Sequence, residues 1–92
     1  MAIHVQGKKG PHIMLYTLST CPKCQKVKNL MAELEMEYFY EDADLLADDA
    51  RRDIIADMER WNPKRSFPTT VIDNNHCVIG YQENDLRILL RT

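Results

Sequence analysis

Apolar positions along the 92 residues change their spacing several times, and each change marks an element. His12 to Thr17 is apolar without alternation, as expected for a strand buried on both faces. After Cys21 the period lengthens. Val27, Leu30, Met31 and Leu34 recur at i, i+3, i+4 and i+7, the stripe of an amphipathic helix reaching about Met36, with Lys26, Lys28, Asn29 and Glu33 expected to face outward. Tyr38-Phe39-Tyr40 reads as a second strand, and the acidic stretch from Glu41 to Asp49 as a solvated face plus helix cap. Asp48-Asp49 open a second helix, with carboxylates where the helix dipole favours them. Its stripe is Ala50, Ile54, Met58 and Trp61, and Asn62-Pro63 ends it. Thr69 to Asp73 is a β-branched strand, Asn74-Asn75 a two-residue turn, and His76 to Ile79 the return strand. Gly80 breaks the pattern, and Glu83 to Leu90 forms a closing helix with Leu86, Leu89 and Leu90 inward.

The resulting order, βαβαββα, is an α/β layer structure whose first βαβ crossover is expected to be right-handed. Residues 12–92 are predicted to be a single domain, and residues 1–11 a loosely ordered extension. That extension contains the turn-forming run Gly7-Lys8-Lys9-Gly10-Pro11, and Ile3-His4-Val5 is a candidate edge strand within it.

Composition narrows the function classes. Hydrophobic residues at 45% against 28% charged describe an ordinary globular chain. Twelve basic and fourteen acidic residues give a net charge of −2, which argues against nucleic acid or an anionic membrane as the main partner. No apolar run approaches the roughly 20 residues of a membrane span, and Met1 to Pro11 carries no secretory pattern. Three cysteines, two of them three apart, make a poor disulfide scaffold but a serviceable redox pair in a reducing compartment, so a cytoplasmic location is expected.

The chemistry concentrates in Thr20-Cys21-Pro22-Lys23-Cys24. Cysteines at i and i+3 of a first helical turn share a face, within the reach of a disulfide. Pro22 suits the first helical position, where its missing N–H is no loss. Cys21 then stands at the helix mouth, before unpaired N–H groups and the positive end of the dipole, and both favour the nucleophilic thiolate. Lys23 adds a positive charge. Cys24, one turn inside, is more shielded. The pair reads as an attacking Cys21 and a resolving Cys24.

Together with Cys21-Pro22-Lys23-Cys24 after a first strand, Ser66-Phe67-Pro68 precedes a third and Gly80-Tyr81 follows the hairpin. In these motifs and their order the chain resembles the glutaredoxins from about Ile13 to Leu90, and looks closest to redoxins that donate electrons to ribonucleotide reductase. The resemblance implies a thioredoxin-like fold: a four-stranded mixed sheet in the order second, first, third, fourth, the third strand antiparallel to the first. It also implies a cis Phe67–Pro68 peptide beside Cys21 that presents backbone to a substrate, with Thr20, Lys23, Gly80 and Tyr81 around the same groove. Arg65 matches a basic family position able to meet a carboxylate. The chain departs from the family at three places. Leu18 stands where a lysine usually helps hold glutathione, and Lys23 replaces an aromatic residue. Gly80-Tyr81-Gln82-Glu83-Asn84-Asp85 replaces the Gly-Gly and Asp-Asp pattern. Dithiol chemistry survives these changes, whereas glutathione recognition loses its usual contacts.

The implied protein is a monomeric thiol–disulfide oxidoreductase with no bound cofactor and no metal. Its substrates would be protein disulfides, ribonucleotide reductase being one candidate, or low-molecular-weight disulfides. Its donor would be glutathione, a thioredoxin reductase or a ferredoxin-linked reductase. The alternative is an iron–sulfur cluster carrier on the same scaffold. A structural zinc would need about four ligands. His76 and Cys77, adjacent in a strand, point to opposite faces, so at most one could join such a site. Cys77 reads as a small buried hydrophobe, with a regulatory thiol as the alternative. His4, His12 and His76 receive no role.

Overall fold

The computed structural model describes residues 2–90, whose order is β1 (Ile3–Val5), β2 (Ile13–Thr17), α1 (Pro22–Glu33), β3 (Tyr38–Asp42), a 3-10 turn (Ala43–Leu45), α2 (Asp48–Glu59), β4 (Thr69–Ile72), β5 (His76–Ile79) and α3 (Glu83–Leu89). The strands form one mixed sheet in the order β1-β3-β2-β4-β5. β2 runs parallel to β3, while β4 is antiparallel to β2 and to β5. This is the thioredoxin-like arrangement, with one strand more than expected.

The additional strand corrects the four-strand count. Ile3, His4 and Val5 pair antiparallel with Tyr40, Phe39 and Tyr38. Three contacts hold the segment in place: Lys8 N–H donates to the Glu35 carbonyl at 2.7 Å, Glu37 N–H returns to Lys8 at 3.3 Å, and His4 bonds the Glu37 carboxylate. Gly7 makes this approach possible, since a Cβ there would lie 2.5 Å from the carbonyl carbon of Met36. So short a strand has no periodicity of its own, and its place is set by the edge it covers.

Alternation along the central strands sends side chains to two cores. Ile13 and Leu15 on β2 pack with Val27, Leu30 and Met31 of α1 and with Leu86 of α3. Tyr16 and Val71 face the other way, against Met58, Ile54 and Trp61. α1 and α3 thus cover one face of the sheet and α2 the other. The predicted stripe of α1 is the buried one.

The hairpin turn lies one residue earlier than expected. Asp73 and Asn74 carry the positive φ values (54° and 50°), and Asn75 N–H closes on the Ile72 carbonyl at 3.0 Å. Asp and Asn all tolerate this conformation, so the composition of the run does not fix which pair turns. The acidic stretch also differs from its reading as a solvated face. Glu41 is only 4% exposed, and the Asp42 side chain 11%.

Candidate active site

Strand register brings the separate motifs to one end of the sheet. Tyr16 pairs with Thr69, Thr69 with Ile79, and Thr17 with Asp42. The segments leaving those residues are the Thr20–Cys24 turn, the Phe67–Pro68 turn, Gly80-Tyr81 and Asp42–Asp44. All four therefore emerge side by side at the same edge.

Cys21 caps α1 in an extended conformation, and Pro22 takes the first helical turn, as its fixed φ predicts. The Cys24 N–H donates to Cys21 Sγ at 3.2 Å. Sulfur thus occupies the position of an N-cap oxygen, accepting one of the N–H groups that a helix start leaves unpaired. Cys21 is half-buried while Cys24 is 1% exposed, and both are free thiols. Burial, followed by the side-chain hydrogen bond with Cys21, pushes the Cys24 thiol up to about 12, and a hydrogen bond with the Leu18 backbone, then the charge of Lys28, draw it back in part. Thr20 and Lys23 are exposed beside the mouth. Ser19 anchors the turn through its N–H (2.8 Å) and hydroxyl, both donating to Asp44. These bonds hold the Asp44 carboxyl below the usual carboxylate range.

The Phe67–Pro68 peptide is cis, and the Pro68 carbonyl accepts from Gly80 N–H at 2.8 Å. Gly80 has φ 79°, a conformation L side chains rarely adopt. The loop before Pro68 is closed by Asn62, which is fully buried. Its amide nitrogen reaches the Ser66 carbonyl (3.1 Å), Ser66 Oγ (2.9 Å) and Thr69 Oγ1 (3.0 Å), and its Oδ1 accepts from Lys64 N–H (3.1 Å). Reading Asn62 only as a helix stop missed this role. An Asn before Pro with Ser and Thr four and seven residues on was the available signal.

Two other expected site residues turn toward helices. Arg65, exposed and at φ 53°, lines an open cavity of about 430 Å³ with Arg51, Arg52 and Glu59 of α2, and the cysteine turn is not part of that cavity. Tyr81, expected at the substrate groove, is half-buried against the α1–α3 core. Its ring lies 5.9 Å from Lys26 Nζ, and its hydroxyl is 3.1 Å from Glu83. Cys77 is half-buried with Sγ 3.7 Å from the Trp61 carbonyl, and burial pushes its thiol up. Among the described residues no group of three or more His, Cys, Asp and Glu side chains is arranged to hold a metal ion.

Lys28, predicted to face outward, folds inward: its side chain is 17% exposed. Its ammonium sits 3.2 Å from Asp42 Oδ1 and 4.0 Å from the centre of the Tyr40 ring. The Thr17 hydroxyl lies 2.5 Å from the same Asp42 oxygen and 3.0 Å from the Glu41 carbonyl. The site thus includes a partly buried ion pair between α1 and the end of β3.

The family model for Glutaredoxin matches residues 13–77. No curated protein sequence gives a significant match. Among solved structures, the glutaredoxin from Methanosarcina mazei Go1 is 32% identical with a TM-score of 0.90, covering 99% of this chain and 88% of that one. The Methanosarcina acetivorans methanoredoxin is 33% identical with a TM-score of 0.85, over 91% and 97% of the two chains. The Archaeoglobus fulgidus glutaredoxin gives 27% and 0.80, over 87% and 86%. With about two-thirds of its residues inside the matched span and the Cys21–Cys24 turn at the start of it, this chain belongs to the glutaredoxin family.

Proposed function

We propose that the chain is a dithiol reductase of protein disulfides in which Cys21 is the nucleophile and Cys24 the resolving thiol. The observation that carries this reading is the Cys24 N–H donating to Cys21 Sγ at 3.2 Å, with the Cys24 side chain buried one turn below. Negative charge on Cys21 is favoured by that bond and by the helix end. Family membership supplies the reaction class, thiol–disulfide exchange without a bound cofactor.

The Cys21 thiolate attacks one sulfur of the substrate disulfide. A Cys21–substrate bond forms, and the other substrate sulfur leaves as a thiolate that takes a proton from water. Cys24, having lost its proton, then attacks Cys21 Sγ. The Cys21–Cys24 disulfide forms, the second substrate sulfur leaves, and the substrate carries away two electrons. An external thiol or reductase resets the pair. The exposed Thr20 and Lys23, the Phe67–Pro68 turn and the Gly80-Tyr81 segment form the substrate face, while Arg65, turned toward α2, lies apart from it. The substrate class is a protein disulfide of the kind ribonucleotide reductase presents, met by a monomer in the cytoplasm.

Recycling of the oxidised protein tests the reading, using glutathione with glutathione reductase in one arm and NADPH with thioredoxin reductase in the other. Cys21→Ser is expected to abolish turnover in both arms, and Cys24→Ser to accumulate a mixed disulfide visible by mass spectrometry. Full turnover by Cys21→Ser would overturn the assignment. Reduction by one donor alone identifies the route by which the pair is reset.

A further inference from the structure

The resolving step poses a difficulty that the cysteine pair does not solve by itself. Cys24 is 1% exposed, in surroundings that favour the neutral thiol, yet it attacks as a thiolate. Water cannot solvate its charge, so a fixed group must stabilise it.

A hydrogen bond with the Leu18 backbone supplies part of that stabilisation, and one charged group is placed to add to it. Lys28 lies four residues after Cys24 on α1, and positions i and i+4 are stacked with Cβ atoms about 5–6 Å apart. Its ammonium is withdrawn from solvent and cannot wander, because Asp42 Oδ1 holds it at 3.2 Å and the Tyr40 ring packs over it at 4.0 Å. Asp42 is fixed in turn by Thr17 Oγ1 at 2.5 Å, at the paired ends of β2 and β3. The charged or titratable groups on this side of the sheet are thus Cys21 and Lys28 from the same helix, with Asp42 and Tyr40 on β3 against Lys28. Cys21 is uncharged once it is in a mixed disulfide. Lys28 is then the cation fixed one turn from Cys24.

We infer that Lys28, anchored by Asp42 and Thr17, is a positioning residue for the second half-reaction, stabilising the Cys24 thiolate as it forms. The step balances without another reagent. Cys24 gives its proton to water at the mouth of the turn, its electron pair forms the bond to Cys21 Sγ, and the substrate thiolate leaves with the pair from the broken bond. This inference rests on the dithiol reading above and adds the group that makes the buried thiol usable.

Rapid mixing of the reduced protein with an aromatic disulfide whose released thiolate is coloured separates the two steps. Cys21 attack releases the first thiolate and Cys24 attack the second. Removing a nearby charge shifts a thiol by about one pKa unit, a tenfold loss of thiolate, and the greater nucleophilicity of a more basic thiolate returns part of that, leaving a three- to fourfold slowing. Lys28→Gln is therefore expected to slow the second phase about three- to fourfold, displace its pH profile to higher pH, and leave the first phase within about twofold. Lys28→Arg should restore the second phase. The first phase also reports that each variant is folded. An unchanged second phase in Lys28→Gln, with that phase still lost in Cys24→Ser, overturns this inference alone. A second phase that survives Cys24→Ser overturns the dithiol reading and this inference with it.

Discussion

Asn62 offers the sharpest test of how the Phe67–Pro68 turn is held, and the perturbation is Asn62→Ala. The side chain is fully buried, and its amide nitrogen faces three acceptors with two protons while Oδ1 accepts from Lys64 N–H. Truncation therefore removes about three hydrogen bonds, each with a net worth of about 1 kcal/mol, or about 3 kcal/mol in all. The Thr69 hydroxyl still reaches the Ser66 carbonyl at 2.8 Å, so part of the loop remains tied and the loss stays near that sum. For a chain of this length, with about 5–14 kcal/mol of total stability, the loss is a large fraction. The midpoint of thermal unfolding should fall by about 12–24 °C. Urea unfolding at constant m measures the free energy directly. Ser66→Ala, which removes one exposed partner, should cost about 1 kcal/mol. A loss below about 1 kcal/mol for Asn62→Ala would show that the loop is held by its backbone alone and refute the role given to the amide.

The remaining predictions concern the second thiol and the added strand. Burial pushes Cys24 up to about 12 and Cys77 in the same direction, whereas an unfolded cysteine titrates near about 8.5. The folded values exceed the unfolded one, so the unfolded chain loses its protons first as pH rises. The stability is fully present below about pH 8.5 and falls above it, by up to about 1.4 kcal/mol per pH unit for each buried cysteine. Urea midpoints in reducing buffer between about pH 7.5 and 9.5, below the range where Tyr16 and Tyr38 titrate, should decline in the native protein and decline less in Cys24→Ala. Parallel profiles for the two would count against the buried-thiol assignment. Gly7→Ala places a Cβ within 2.6 Å of three backbone atoms of Glu35 and Met36. It should cost about 1–3 kcal/mol and speed amide exchange in Ile3–Val5 and its partners on β3 while leaving Cys21 reactivity intact. Unchanged exchange would mean that β1 needs no close approach at Gly7.

What was legible in the chain was whatever repeats with a period or turns with a special residue. Val27, Leu30 and Met31 gave the buried face of α1, the unbroken apolar run gave β2, and the placement of Pro22 gave the first turn of α1 with Cys21 as its cap. β1 was legible only as a candidate edge strand, because three residues carry little pattern and its place depends on pairing with Tyr38–Tyr40. Lys28 was misread for a different reason. A lysine between an apolar stripe and the solvent face can lay its stem along the protein and carry its ammonium either way. Which way it goes is decided by a carboxylate on another element, here Asp42 at the end of β3. Sequence distance hides that partnership, since Thr17, Lys28 and Asp42 belong to three elements that meet only through the parallel register of β2 and β3.

The two cysteines place opposite demands on one helical turn. On the proposed dithiol reading Cys21 must be reachable by a substrate disulfide, and it sits at the edge of the sheet, at the start of α1, where it accepts the Cys24 amide without being fully buried. On the same reading Cys24 has to stay hidden until a mixed disulfide exists, because an exposed second thiolate would compete for substrate and form dead-end adducts. Burial achieves that by favouring the thiol, but the same burial slows the step in which Cys24 attacks. A charge that is fixed, largely desolvated and one helical turn from the inner position would reconcile the two requirements, since it favours the thiolate of Cys24 without opening the site to water. The Lys28–Asp42 pair meets that description. An isolated lysine on the solvent face would not, because screening and motion would remove most of its effect. The ion pair therefore matters less for its own stability than for where it holds the ammonium.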